Sequence, residues 1–494
     1  MKQKSETLNS FLLPPLRDIV FIIVFAGALM LGTRMLNTDG DLGRDLTIGT
    51  YIINSHQIPT RDLFSFTKAG QPRPPYEWLA QILFAIANQL TGLDGVVLLS
   101  AAVIAAAFFI VYADSNQRSQ SPILALLIVL WAVVASSIHW LTRPHIFSFL
   151  FFAIWLQWLE RIRVGKKISL WVFPVTMLFW ANTHGGFIFG FLAWGAYLAG
   201  WLVDLWRKSS TINIGKNLSI IGATSLAASV ITPDTWHNWA AVFSNNSAYI
   251  LSHTAETMPP NFAEPSTWPF AGLLALALIL FLLLWKQASI GHIFLLAGLA
   301  GMSLLMARNI PLFAVAAAPI LSAWTGKIIN AVSYWKKIEE AFTKIETALR
   351  GYLWTILIVA IATGFFVYHR AISESSLYQF DPQVFPVQAA DWVESHPIKG
   401  NMFNDFNWGG YLLYRLWPGQ RVFVDSQSDF YGEAFLRTYS SIYTGGSNWD
   451  AELARYNVNW IIVPREAGLA SAAGANPHWQ VAYQDPLAII FERR

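Results

Sequence analysis

Residues 19–45 read IVFIIVFAGALMLGTRMLNTDGDLGRD. An apolar run from Ile19 to Leu36, broken only by Arg34 and a few small residues, gives way at once to Asp39, Asp41 and Asp45. A bilayer core takes about 20 largely apolar residues of helix, so the run has the length of a membrane span and the acids fall just where it would emerge. The rest of the chain agrees. Of its 494 residues 54% are hydrophobic and 13% charged, whereas a soluble domain carries about 25% charged residues. Met1 to Arg17 is polar, and the run ends without a small-residue cleavage pattern, so it is expected to be a first span and not a cleaved leader. The chain has no cysteine, which removes disulfides, thiolate nucleophiles and Cys-ligated metals. The 23 Trp and 34 Phe suit membrane interfaces and lipid-facing surfaces.

Working outward, further apolar segments run from Leu93 to Ala113, Ser121 to Ile138, Ile146 to Leu159, Ile168 to Trp180, Gly186 to Val203, Leu218 to Ile231, Trp268 to Trp285, Gly291 to Met306, Ile310 to Trp324 and Tyr352 to Tyr368. The stretch between Lys167 and Asp204 holds no charged residue and is too long for one crossing; Asn182, Thr183, His184, Gly185 and Gly186 divide it. About eleven spans follow. Cations collect in alternate loops, with Lys2, Lys4 and Arg17, then Arg118, then Arg161 to Lys167, Arg207 to Lys216, Lys286, and Lys327 to Arg350. The intervening loop Thr232 to Pro269 has Asp234, Glu256 and Glu264 but no Lys or Arg. Because cytoplasmic loops are enriched in Lys and Arg, the N-terminus is expected inside and the C-terminus outside.

After Tyr368 the composition turns mixed. Short apolar strands are expected at Asn401 to Phe403, Arg421 to Val424, Trp460 to Val463, Gln480 to Tyr483 and Ala488 to Phe491, between helical stretches at Val384 to Ser395, Tyr411 to Leu416 and Trp449 to Tyr456. The expected fold is mainly α: a polytopic helical bundle over residues 1–370, with a first outer loop over 37–92, and an extracytoplasmic α/β domain over 371–494.

The polar residues of the outer loops carry whatever chemistry there is. Asp39 and Asp41 can serve as a general base or hold a divalent cation, since hard cations prefer carboxylate oxygen; the bland alternative is a solvated turn around Gly40 and Gly43. Glu77 opens an amphipathic stretch to Leu90 and can equally be a favourable first-turn charge. Arg143 and Arg308 can pair with a phosphate or snorkel to headgroups. His184 is singly more often a hydrogen-bonded helix-end residue than a reactive one; His145, Asn182 and His237 fall in outer turns as well. Their conjunction is the stronger sign: one topology puts all of these on one side, and ionisable groups at membrane depth are costly. Asp425 ends an apolar strand, a common place for functional groups, although Asp and Asn at strand ends are more often turn-formers. No phosphate-binding glycine loop, zinc-binding His-Glu helix or Gly-x-Ser-x-Gly elbow is present.

The first loop with Asp39-Gly40-Asp41, the long connection to Glu77 and the C-terminal α/β segment resemble the GT-C glycosyltransferases. More narrowly, Ile58 to Thr67, Glu77-Trp78-Leu79, Arg143-Pro144-His145, Asn182 to Phe187, Arg308 to Phe313 and Gly409-Gly410-Tyr411 are similar to a group of uncharacterised bacterial and archaeal membrane proteins near GT-C. The resemblance implies transfer of a hexosyl or pentosyl unit, with inversion, from a polyprenyl-phosphate donor to a lipid, glycan or protein acceptor in the cell envelope. It implies Asp41 as base or ligand of a divalent cation, Arg143 and Arg308 on the phosphate, and Glu77 and His184 beside acceptor or donor. Partners would be membrane lipids and the lipid-linked donor, with no nucleic acid. Two positions depart from that group, Leu42-Gly43-Arg44-Asp45 in place of an aromatic and a His, and Asn309 in place of a His. Two other classes remain open: a transporter or flippase, disfavoured by the lack of ionisable residues in mid-span, and a non-catalytic membrane protein whose outer segment binds glycan or protein.

Overall fold

The computed structural model describes residues 13–244, 257–349, 353–373 and 375–494. Lys2, Lys4, Glu256, Arg350 and the Tyr352 start of the last expected span lie outside them. Among the described residues six helices are long and apolar enough to cross a bilayer, Leu93–Ser119, Pro122–His139, Gly185–Trp206, Pro265–Leu284, Ala307–Ile329 and Trp354–Ser373. The remaining expected segments are also helical, as Leu16–Met30, His145–Arg163, Val172–Thr183, Ile212–Ser229 and Ile290–Leu305.

The first segment is not continuous. It breaks at Leu31 into Leu16–Met30 and Gly32–Asn37. The Tyr378 hydroxyl donates to the Leu29 carbonyl at 2.7 Å, and its ring lies where a side chain on residue 32 would be, 2.5 Å from a Cβ built on Gly32. A side chain inserted beside the helix ladder is a recognised cause of a kink.

Helix termini divide into two ends of the bundle. At one, Glu346 accepts from the Leu16 amide at 3.0 Å and Glu339 from the Ile123 and Leu124 amides at 3.2 and 3.1 Å, so two carboxylates of the amphipathic helix Ser333–Ala348 satisfy the orphan N–H groups of two apolar helices. Buried Glu160 gathers Arg163 at 2.5 Å, Arg118 at 3.4 Å and His292 at 2.9 Å there. At the other end lie Asn37, Leu93, His139, His145, His184 and Ile310. The helix Ile310–Ile329 runs antiparallel to Pro122–Ser136: Asn330 at its far end bonds Ser121 at 3.1 Å, and the bundle packs its opposite end beside Ser137–His139.

The C-terminal segment forms a mixed sheet in the order β1-β2-β4-β3, from β1 (Asn401–Asn404), β2 (Val458–Pro464), β3 (Trp479–Gln484) and β4 (Ala488–Arg493). β1 and β2 are parallel; β2–β4 and β3–β4 are antiparallel. Arg421 to Val424, expected as a strand, does not join this sheet. Val422 instead forms a parallel bridge with Ser65 of the first loop, donating to the Phe64 carbonyl and accepting from the Phe66 amide, both at 3.2 Å. Its backbone groups are spent on the loop, so the extended stretch becomes part of the joint between the two regions.

That joint is tight. The helix Gly409–Leu416 packs against Asp41–Ser55. A Cβ on Gly410 would lie 2.0 Å from the Gly40 carbonyl oxygen, and one on Gly43 would lie 2.3 Å from that of Gly410. Glycine is needed at both for the backbones to touch. Asp94 accepts from the Leu377 and Tyr378 amides at 2.9 and 2.8 Å, and Asn37 bonds Gln379 and Asp381 at 3.1 and 2.8 Å. The C-terminal segment is thereby seated on the end of the bundle that carries the first loop.

Candidate active site

Asp41 is the first residue of the helix Asp41–Ser55, and the Asp39 carboxylate just before it accepts from the Asp41 amide at 3.1 Å. Placing acids at a helix start is favourable, because the free N–H groups there carry partial positive charge. Asp41 is buried, with 8% of its side chain exposed, and both its oxygens are occupied. Oδ1 accepts from Arg44 Nη1 at 3.0 Å and, in a very short bond, from the Ser426 hydroxyl. Oδ2 meets Arg143 Nη2 at 2.5 Å, while Arg143 Nη1 lies 3.1 Å from Asp39 Oδ2. Arg143 so bridges two acids with the fork of its guanidinium. Burial pushes the Asp41 carboxyl up, but Arg143, Arg44 and the Ser426 hydroxyl together hold it below the usual carboxylate range.

Asp45, one turn on, takes Arg44 Nη2 at 3.4 Å and Gln81 Nε2 at 3.0 Å. Burial raises its pKa, with the nearby Asp41 charge adding to the rise. Glu77, at the start of the helix Trp78–Thr91, is driven in the same direction: burial above all, and then the Asp45 charge, push its carboxyl up to about 8. A buried carboxyl beside a second acid ionises with difficulty, because neither solvent nor a dedicated cation compensates its charge. Two acids with opposite tuning therefore share this site, Asp41 ionised and Glu77 proton-holding near neutral pH.

His184 faces Glu77 through Nε2 at 4.0 Å. Its Nδ1 accepts from the Gly186 amide at 3.0 Å. Ser148 Oγ, which accepts the Trp180 indole N–H at 2.8 Å, lies 2.8 Å from the same nitrogen and gives it its hydroxyl proton. With Nδ1 committed as acceptor, the neutral ring carries its proton on Nε2 and points it at Glu77.

Behind these groups the first loop is stapled to the C-terminal segment. Arg73, 6% exposed, joins Asp62 at 2.8 Å and Asp425 at 2.9 Å, and donates to Gln427 Oε1 at 2.6 and 2.9 Å. Tyr76 donates to Asp429 at 3.2 Å. Ser426, which touches Asp41, sits between two of these anchors. A cavity of about 30 Å³ beside Glu77, Tyr76, Gln81 and Arg73 has room for a water molecule.

The other sequence-selected residues are placed as follows. Asn182 is buried; its amide accepts from the Trp78 indole at 2.7 Å and donates to the Leu178 and Ile231 carbonyls at 2.8 and 2.9 Å, so it ties helices together. His145 donates to the His139 carbonyl at 3.0 Å, and its ring lies tilted by 40° against that of His139 with centroids 4.6 Å apart. Arg308 is exposed in the turn Ala307–Asn309, on the same end of the bundle. His237 is half exposed and bonds the Asp234 carbonyl at 3.0 Å. Arg44, Asp45, Gln81, Ser426 and the Arg73 staple were not selected from sequence. The one-turn spacing of Asp41, Arg44 and Asp45 was visible there; the partners from residues 425–427 were not.

The acidic loop invites a divalent cation, and the residues present do not fit one. A hard cation needs open carboxylate oxygens at about 2.0–2.6 Å. Both oxygens of Asp41 are taken by guanidinium and hydroxyl groups, and among the described residues no three His, Asp or Glu side chains converge in a metal-binding group.

No protein-family model matches the chain, and no curated protein matches it either. Solved structures do. The archaeal oligosaccharyltransferase AglB from Archaeoglobus fulgidus, in complex with an inhibitory peptide and a dolichol-phosphate, superposes over 90% of this chain and 69% of its own, with TM-score 0.59 and 13% identity. ArnT from Cupriavidus metallidurans, bound to undecaprenyl phosphate, matches 96% of this chain and 97% of its own, with TM-score 0.50 and 11% identity. In its apo state that protein gives TM-score 0.51 at the same coverage. The chain is a multi-pass membrane protein with the GT-C fold.

Proposed function

We propose that this protein is a membrane glycosyltransferase that moves a sugar from a polyprenyl-phosphate donor to a lipid, glycan or protein acceptor at the outer face of the cytoplasmic membrane. The observation that carries the reading is the convergence of Asp41, Arg143, Glu77 and His184 on one end of the bundle, against the C-terminal segment. It occurs in a fold shared with two proteins whose structures hold a dolichol-phosphate and an undecaprenyl phosphate. Fold alone would not carry this, since one fold hosts many functions. We take the chain to cross the membrane eleven times, with the cation-rich loops and the N-terminus inside.

The roles follow from the tuning of the groups. Arg143, held by Asp39 and Asp41 yet 22% exposed in its side chain, meets the donor phosphate and takes up the charge that grows on it. Asp41 is too well stabilised as an anion to be an effective base, and serves to aim Arg143. Glu77, poised near the working pH, is the general base. The acceptor O–H gives its proton to the Glu77 carboxylate while its oxygen bonds to the anomeric carbon. The bond from that carbon to the phosphate oxygen breaks, and its electron pair leaves with the lipid phosphate. A single displacement inverts the anomeric centre. The Nε2–H of His184 orients the acceptor oxygen toward Glu77. Arg308, on the same end of the bundle, adds a cation for the lipid phosphate.

Purified protein in lipid nanodiscs, given radiolabelled polyprenyl-phosphate sugars and a panel of acceptors, should yield covalent product, with turnover lost in Glu77→Gln and Arg143→Ala. Asp41→Ala should lose it too, through the disordering of Arg143. Flux of labelled substrate across proteoliposomes with no covalent product would replace this reading by a transporter.

A further inference from the structure

We infer that Arg44 is a built-in cation of this site, standing where a divalent metal would otherwise sit, and that the chain neither binds nor needs such a metal there. The inference deepens the glycosyltransferase reading in its activity arm, while its metal-binding arm stands without it. Asp41 and Asp45 lie four residues apart on one helix, so their carboxylates face the same side and repel each other. Two buried acids so placed are a natural seat for a hard cation. Arg44, 5% exposed, fills the seat from within: Nη1 lies 3.0 Å from Asp41 Oδ1 and Nη2 lies 3.4 Å from Asp45 Oδ1, with Ser426 Oγ 3.4 Å from Nη1.

Charge points the same way. Asp39 and Asp41 balance Arg44 and Arg143, Glu77 holds its proton mainly through burial, and only Asp45, already bonded to Arg44 and Gln81, is left over to draw in a divalent ion. A metal at this point would also lie against two guanidinium groups that cannot release their protons. Arg44 touches Asp41 and Ser426 and is a positioning residue. It fixes the carboxylate that aims Arg143, and supplies steady positive potential to the phosphate end of the site.

The test uses the full-length protein purified in EDTA. By Mn²⁺ electron paramagnetic resonance, wild type should show no tightly held Mn²⁺, and transfer should change by no more than about twofold with EDTA or with added Mg²⁺ or Mn²⁺. Arg44→Ala should acquire a single Mn²⁺ site that Asp45→Asn abolishes in the double variant, and Mn²⁺ should restore part of its lost transfer. Arg44→Lys, which keeps the charge, should stay metal-free and retain more activity than Arg44→Ala. Wild-type Mn²⁺ binding that disappears in Asp41→Asn would overturn the inference, as would EDTA-sensitive transfer rescued by Mn²⁺, or a folded Arg44→Ala that holds no Mn²⁺. The wild-type measurements decide the matter even if Arg44→Ala does not fold. Should no donor be turned over, the glycosyltransferase reading fails while the Mn²⁺ spectra still judge Arg44.

Discussion

Glu77→Gln should flatten the pH dependence of stability and abolish base catalysis, and the size of the effect can be worked from the site. The folded carboxyl sits at about 8 against an ordinary 4.5, so between those values the native protein keeps a proton that the unfolded chain has released. Stability therefore falls as pH rises through 4.5 to 8 and levels off above. At 1.36 kcal/mol per pH unit the full difference would be about 5 kcal/mol. The side chain is 16% exposed and solvent screens part of this, so the expected net effect is about 2–4 kcal/mol. Unfolding entropy of about 2 cal/mol/K per residue makes that a melting shift of a few degrees in a chain of 494 residues. The assay is thermal melting in detergent from pH 5 to 9: wild type should lose a few degrees across the interval, and Glu77→Gln should lose markedly less while matching or exceeding wild type at pH 8.5. Transfer by wild type should rise with pH toward about 8 as the base ionises. A wild-type melting temperature that does not move with pH, or a Glu77→Gln profile parallel to it, would refute the assignment.

Other outcomes follow from the same geometry. Arg143→Lys cannot bridge Asp39 and Asp41 as the guanidinium does, and product formation should drop about 10²-fold or more with little change in melting. Gly410→Ala drives a methyl against the Gly40 carbonyl; it should cost about 1–3 kcal/mol and suppress transfer with every charged group intact, read by melting and by faster proteolysis of the first loop. Arg73→Ala leaves Asp62 and Asp425 buried without their cation and should cost about 3–5 kcal/mol, with faster hydrogen exchange over residues 57–77. Ser148→Ala takes a proton donor from His184 Nδ1; transfer should fall about tenfold through KM and kcat together, as measured by initial rates, because the Gly186 amide still holds the ring.

Apolar run length and the shift in composition after Tyr368 were enough to predict a membrane helical bundle with an α/β segment behind it, because burial in lipid demands long apolar helices and soluble cores do not. The same reading picked out Asp41, Glu77, Arg143 and His184, since charge beside a membrane span is conspicuous in a chain that is otherwise apolar. It could not see that Leu31 breaks the first helix, because the cause is Tyr378, which lies far along the chain. Nor could it see that Arg421 to Val424 leaves the sheet for the first loop: pattern reports that a stretch is extended, and pairing partners are set by contact.

What the sequence by itself determined is therefore the class of solvent this chain lives in and a short list of polar groups beside its spans, both consequences of local composition. What only the tertiary structure decided is how each of those groups is held. Asp41 and Glu77 are both acids next to a helix start, and no local rule separates them. Arg143, Arg44 and Ser426 converge on the first from three distant parts of the chain and hold it ionised. Burial beside Asp45 keeps the second protonated. A carboxyl's character is set by the charges and solvent within a few ångströms of it, and those neighbours are chosen by the fold.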